Sequence, residues 1–180
     1  MTNEKLAETI LLQLEIFVLV QFIDERCERN DADAIRLLTD LHLQRHPDLR
    51  WEDLLPLVRL NTSFAMLTLP ICFVSRFDDE ELYEFGFRVR PEHDLLYRDK
   101  GRVTAATSSK VLRTFRNAIA HLPDFAAGTG TCLPNVTFDE GIARLCSRDT
   151  ELVFRSEEGY VQFLRDLIPA IRSGVRNRLL

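Results

Sequence analysis

Residues 108–121 read Ser-Ser-Lys-Val-Leu-Arg-Thr-Phe-Arg-Asn-Ala-Ile-Ala-His, and Pro123 follows two positions later. The run reads as a helix from near Ser108 that Pro123 stops, and the small or apolar Ala118, Ile119 and Ala120 let it pack closely against other helices. Arg116 and His121 lie about 140° apart at roughly 100° per residue, and a long guanidinium can curl back toward a histidine one turn on. His121 falls in the last turn, where the negative end of the helix dipole favours an imidazolium. A fixed cation beside a titratable acid/base suits phosphodiester cleavage. On spacing alone, a basic helix end with a capping histidine explains the segment more simply.

Outward from this helix, the chain reads as mostly helical. Asn3 to Glu28 is one long helix whose apolar positions (Leu6, Ile10, Leu14, Phe17 and Val18, widened by Leu11, Leu12, Ile16, Leu19, Val20, Phe22 and Ile23) nearly encircle it. Such breadth implies burial on more than one side, in a bundle centre or a subunit interface. Asn30 or Asp31 can cap a second helix to about Gln44, with Ile35, Leu38, Leu41 and Leu43 inward. Trp51 to Phe77 is expected to be helical with bends near Pro56 and Pro70. Asp78 to Phe85 reads as a short capped helix ended by Gly86, and the polar Pro91–Lys100 stretch as a loop or single turn. Leu122 to Leu133, with Pro123, Gly128 and Gly130, reads as a loop.

Beyond it the period changes from 3.6 to 2. Asn135–Phe138, Ile142–Leu145 and Glu151–Phe154 alternate, with turns at Asp139–Gly141 and Arg148–Asp149, and predict a small β-hairpin or three-stranded flap. Ser156 then caps a closing helix with Glu157 and Glu158 in its first turn, a stripe of Val161, Leu164, Leu167, Ile168 and Ile171, and a kink at Pro169. The expected fold is one mainly α domain over residues 1–180: an antiparallel bundle over about 3–122, a β excursion over about 134–155, and a closing helix over about 156–178.

Composition limits the function. The 180 residues can bury a real core, and 46% hydrophobic with 28% charged residues is a soluble, globular balance. Cys27, Cys72, Cys132 and Cys146 show no C-x-x-C pair and read as reduced thiols. His42 and His46 have an i, i+4 metal-ligand spacing but no third ligand near them in sequence. Thr9 to Ile23 is very apolar, yet Gln13, Glu15 and Gln21 interrupt it short of the roughly 20 residues of a membrane span. Without a signal-like N-terminus either, the expectation is a cytoplasmic protein with no membrane partner. The net charge of −5 is unevenly spread. Five Lys/Arg and no acid lie between Lys100 and Pro123, and three Arg and no acid between Pro169 and Leu180, leaving −13 on the remainder. A mostly acidic body with two basic patches suits local phosphate binding better than wrapping a duplex, although the terminal patch is also what a helix C-terminus favours.

The words of the motif add to this. Arg116-Asn117-Ala118-Ile119-Ala120-His121 resembles the R-x4-6-H signature of the HEPN superfamily (higher eukaryote and prokaryote nucleotide-binding domains), in which a polar residue, commonly Asn, often follows the Arg. The lead-in Lys110–Phe115 is also similar to a HEPN motif helix, and a helical bundle with a late β excursion resembles a plasmid-borne HEPN subfamily. The resemblance implies a metal-independent endoribonuclease of a toxin or defence system, with no cofactor. His121 would move the proton, Arg116 would stabilise charge on the phosphorane-like transition state, and Asn117 would orient the phosphate or Arg116. Lys110 and Arg113 would bind RNA. It further implies a homodimer whose two motifs build one composite site, and a cognate antitoxin or regulatory protein. HEPN toxins paired with a nucleotidyltransferase carry Tyr two residues after the His; Pro123 stands there instead, so the resemblance does not extend to that pairing. The alternative is a HEPN-fold nucleotide- or protein-binding module with a slow or silent motif, and a third is an unrelated helical regulator.

Overall fold

A computed structural model describes residues 2–43, 67–120, 136–139, 142–147 and 149–180. The elements are α1 (Asn3–Glu28), α2 (Ala32–Leu43), helical residues 67–74 (α3), α4 (Asp79–Glu84), a 3-10 turn (Pro91–His93), β1 (Leu95–Asp99), β2 (Arg102–Val103), α5 (Ser108–Ala120), β3 (Val136–Asp139), β4 (Ile142–Ser147), β5 (Thr150–Phe154) and α6 (Glu157–Arg178). The chain is mainly helical, as expected, with a small antiparallel sheet. It divides into two compact units, residues 1–10 with 68–180 and residues 11–67, with the boundary inside α1.

Local chemistry sets the helix ends. Asp31 Oδ1 accepts from the Asp33 and Ala34 amides, each at 3.1 Å, and so caps α2. At α4, Asp78 accepts from the Glu81 amide while Glu81 accepts from the Asp78 amide, a reciprocal box, and Gly86 at φ 86° lets the chain turn away. Ser156 Oγ accepts from the Gly159 amide at 3.2 Å and starts α6. The helix assignment of α6 runs unbroken through Pro169. Pro70 lies inside α3. Pro56, the loop 122–133 and most of the expected turns at 139–141 and 148–149 fall outside the described residues.

The sheet is larger than expected. Its order is β2-β1-β5-β4-β3, every pair antiparallel. The three late strands match the β excursion read from the period, but they do not stand alone as a flap. Leu95–Asp99, expected as loop, pairs along its whole length with β5, from Leu95 opposite Phe154 to Asp99 opposite Thr150. The expectation of helices alone over 3–122 is corrected accordingly. Alternation decides the matter: Tyr97 is buried while Arg98 reaches Glu151 at 2.9 Å on the other face, and Arg144 of β4 meets the same carboxylate at 3.2 Å. Lys100 and Gly101, both at positive φ (49° and 76°), form the two-residue turn that returns the chain as β2.

Within the unit that holds the sheet, the core is aromatic. Phe163 of α6 stacks on Phe115 of α5 at 5.9 Å and meets Phe154 of β5 at 5.1 Å, Phe87 at 5.5 Å and His93 at 5.4 Å. The expected α6 stripe is therefore rotated: Leu164, Leu167, Ile168 and Ile171 are buried, but Tyr160 and Phe163 replace Val161. In the other unit Leu14, Phe17, Cys27 and Ala34 are buried. The two exposures of α1 differ sharply by face. Ala7, Ile10, Leu14 and Phe17 are closed to solvent, whereas Leu12, Leu19 and Phe22 are 61%, 56% and 54% exposed. By length and composition α1 can cross a membrane: residues Asn3–Cys27 contain a window of mean hydropathy 1.9, of which 22% is buried.

Gly159 lets the 3-10 turn seat against the first turn of α6. A Cβ there would lie 2.6 Å from the His93 carbonyl oxygen and 2.8 Å from Asp94 Cβ. Since one of these is backbone, relief requires the turn to move. Gly159→Ala is expected to destabilise the protein by about 1–3 kcal/mol, read as a lowered thermal midpoint; an unchanged midpoint would show that the turn yields freely.

Candidate nucleic-acid interface on α5

The buried side of α5 is continuous: Val111, Leu112, Thr114, Phe115, Ala118 and Ile119 are all closed to solvent. Thr114 Oγ1 donates to Thr150 Oγ1 at 3.1 Å, anchoring the helix on β5. At about 100° per residue, the remaining positions Lys110, Arg113, Arg116 and Asn117 occupy one arc of roughly 120°. The helix thus brings together four of the five expected site residues on one face. The fifth, His121, lies outside the described residues. So do His46 and the side chain of His42, the expected spacing for a metal pair.

This arc is unusual in its charge. Lys110 and Arg113 are exposed, Arg116 and Asn117 half-buried, and none of the three cations makes an ion pair among the described residues. Arg116 Nε is out of contact with solvent and has no hydrogen-bond partner. A buried guanidinium N–H without an acceptor is costly, and an oxyanion supplies what it lacks. The other two cations of the basic run, Lys100 and Arg102, sit on the β1–β2 hairpin instead. In the terminal patch, Arg178 is paired with Glu81, and Arg176 and Arg178 occupy the last turn of α6, where cations complement the dipole.

The N-terminus of α5 carries no acid of its own. Asp79 of α4 supplies one from outside: its carboxylate accepts from the Ser109 amide at 2.9 Å and the Ser109 hydroxyl at 3.0 Å. Ser109 lies in the same arc as Arg113 and Arg116, so Asp79 covers the arc's first turn and leaves the cations beyond it open. Beside this contact a cavity of about 270 Å³ is lined by Asp79, Tyr83, Arg88 and Thr107, with the Arg88 guanidinium 5.2 Å above the Tyr83 ring.

Sequence reasoning missed His93. It is fully buried, its Nε2 is 3.0 Å from Asp166 Oδ2, and its Nδ1 accepts from the Arg90 amide at 3.1 Å. The amide donor fixes the Nε2–H tautomer, so His93 donates to Asp166. Gln162 donates to the other Asp166 oxygen at 3.0 Å, and Arg90 lies 3.7 Å away. With both ring nitrogens engaged and no solvent access, His93 latches the 3-10 turn to α6 and is not placed to exchange protons with a substrate.

No known protein family, characterised protein or solved structure matches the chain.

Desolvation raises the Asp79 carboxyl, but the hydrogen bonds from the Ser109 amide, Thr107 and Ser109 outweigh it and hold it below the ordinary value. A lowered folded value means that the cap contributes above the unfolded value of about 3.9 and is lost as pH falls through the folded one. Asp79→Ala is therefore expected to cost about 0.5–1 kcal/mol at pH 7, the low end for a cap because the group is largely exposed. In urea titrations the gap from wild type should shrink progressively as the pH is taken below about 4; a gap constant with pH would show that the charge contributes nothing.

Proposed function

We propose that this chain is a HEPN-like, metal-independent endoribonuclease of a toxin or defence system. The observation that carries the reading is the acid-free face of α5, with three cations that make no ion pair among the described residues and Arg116 Nε buried without an acceptor. Nothing in that arrangement calls for a duplex. A strip about 10 Å long, from Lys110 to Asn117, spans a few phosphates and no more.

In the proposed reaction the 2′-hydroxyl of RNA loses its proton and its oxygen attacks the adjacent phosphorus. The bond to the 5′-oxygen of the next nucleotide breaks, leaving a 2′,3′-cyclic phosphate and a 5′-hydroxyl that takes up a proton. His121 moves the proton, and Arg116 neutralises charge on the equatorial oxygens. Asn117, one position on and in the same arc, orients the phosphate by hydrogen bonding. Lys110 and Arg113 hold the flanking backbone. Two copies would each contribute one motif to a composite site, in a cytoplasmic homodimer whose activity a cognate antitoxin or regulator restrains. The second reading, a nucleotide- or protein-binding module with a silent motif, draws on the −5 net charge, which weakens general affinity for RNA.

Cleavage of single-stranded RNA in excess chelator tests the proposal. His121→Ala should lower the rate at least ~10²-fold with the fold intact, and Arg116→Lys, which keeps charge but loses the planar fork, should remain substantially impaired. Lys110 and Arg113 substitutions should weaken RNA binding, most visibly as salt rises, with less effect on the cleavage step. Activity that needs added Mg²⁺, or that cuts DNA of the same sequence, would sink the mechanism. RNA binding without cleavage would favour the second reading.

A further inference from the structure

The cavity beside the start of α5 has a lining whose hydrogen-bonding groups do not balance. Its volume is about 270 Å³, and the acid in its lining, Asp79, is already engaged by the Ser109 amide and hydroxyl. The donors of the lining are not. Ser108 is 7% exposed and its Oγ accepts from the Val89 amide at 3.0 Å, but its hydroxyl proton has no acceptor among the described residues. A buried hydroxyl left in that state is costly, and a bound acceptor relieves it. Arg88, exposed on the rim, makes neither an ion pair nor a hydrogen bond among the described residues, and its guanidinium rests over the Tyr83 ring. A guanidinium held over a ring keeps its N–H groups along its edge, where a carboxylate can take two at once. Phe87, 1% exposed, with the half-buried Val89 and Ala106, supplies an apolar wall.

We propose that this cavity is a binding site for a small organic monocarboxylate, an oxyanion carried on an apolar body about the size of one ring. The carboxylate takes the guanidinium of Arg88 and the hydroxyl proton of Ser108, and the apolar body lies on Phe87, Val89 and Ala106. Other occupants meet a mismatch. A metal or ammonium ion finds the Asp79 oxygens engaged and Arg88 repelling it. A phosphate dianion calls for more than one cation, and Asp79 stands in the same lining as the single one present. A whole nucleotide is of drug-like size, for which pockets run to roughly 300–1,000 Å³. The lining includes none of Lys110, Arg113, Arg116 or Asn117, so the site does not rest on the ribonuclease reading of α5.

Titration of the full chain with sodium benzoate at constant ionic strength, followed by the backbone amide resonances in NMR spectra, tests the site. The Val89 and Ser108 amides should shift together and saturate, with a Kd on the order of 1 mM or tighter. Arg88→Ala, at an exposed position, should weaken binding about ten-fold, and Arg88→Lys, which keeps the charge but loses the fork, should recover only part of it. Benzamide, of the same shape without the charge, should bind at least about ten-fold more weakly than benzoate. The absence of a saturable shift at these amides up to about 50 mM benzoate overturns the proposal. Benzamide binding as well as benzoate, or Arg88→Ala binding as well as wild type, overturns it too. Inorganic phosphate or a short single-stranded RNA that moves the same amides at lower concentration than benzoate would assign the cavity to a phosphate group and overturn it equally.

Discussion

Phe163 is the contact on which the sheet-bearing unit depends. One ring on α6 touches rings from α5, from β5, from the segment after α4 and from the 3-10 turn. Each contact adds a modest increment beyond simple burial, but their joint effect is geometric. With Phe115 stacked on Phe163, Lys110, Arg113, Arg116 and Asn117 fall on the other side of α5. The latch of His93 on Asp166 acts at the same centre, since His93 both meets Phe163 and stacks on Phe87. A polar pair so deeply placed tolerates no slack: its nitrogens have one partner each, and the turn that carries them has no room for a side chain at Gly159.

The acid at the first turn of α5 comes from another element. A helix N-terminus is stabilised by a negative charge in its first turn. This chain keeps acids off α5 altogether and brings the carboxylate in from α4, where Asp79 is spent on Ser109. Beyond that turn the cations have no acid on their own helix, although the net charge of the protein is negative. Arg116 shows how closely the site is built: its Nε is withdrawn from water by packing, while the fold offers it no acceptor.

What the sequence made legible was what local chemistry decides. The bounds of α1, a cap at Asn30 or Asp31, and the caps Asp78 and Ser156 follow from period and capping within a few residues. What escaped was non-local. β1 exists because Leu95–Asp99 pairs with Thr150–Phe154, more than fifty residues on, and five residues beginning after a polar turn give no run long enough to declare a strand. A local sign was present in Lys100-Gly101, a dipeptide able to hold two positive φ values, although Lys is not a residue that usually announces one. His93 had no local sign, since its partner Asp166 is 73 positions away. On α6, period alone places a stripe only to within about one residue, which is why it points to Val161 where the fold buries Tyr160 and Phe163.

The breadth of the apolar surface on α1 resolves into two separate stripes, and they answer to different demands. Ala7, Ile10, Leu14 and Phe17 satisfy the fold, with almost no exposed area among them. Leu12, Ile16, Leu19 and Ile23 lie across the helix from them, and among the described residues no core packing accounts for their regularity. An apolar residue can stand singly on a surface without consequence, but a stripe of four in heptad register, bordered by acid at one end and base at the other, is a patterned surface. The outer faces of the two helices thus differ in chemistry: α1 is apolar along Leu12 and Leu19, and α5 is basic along Lys110 and Arg113.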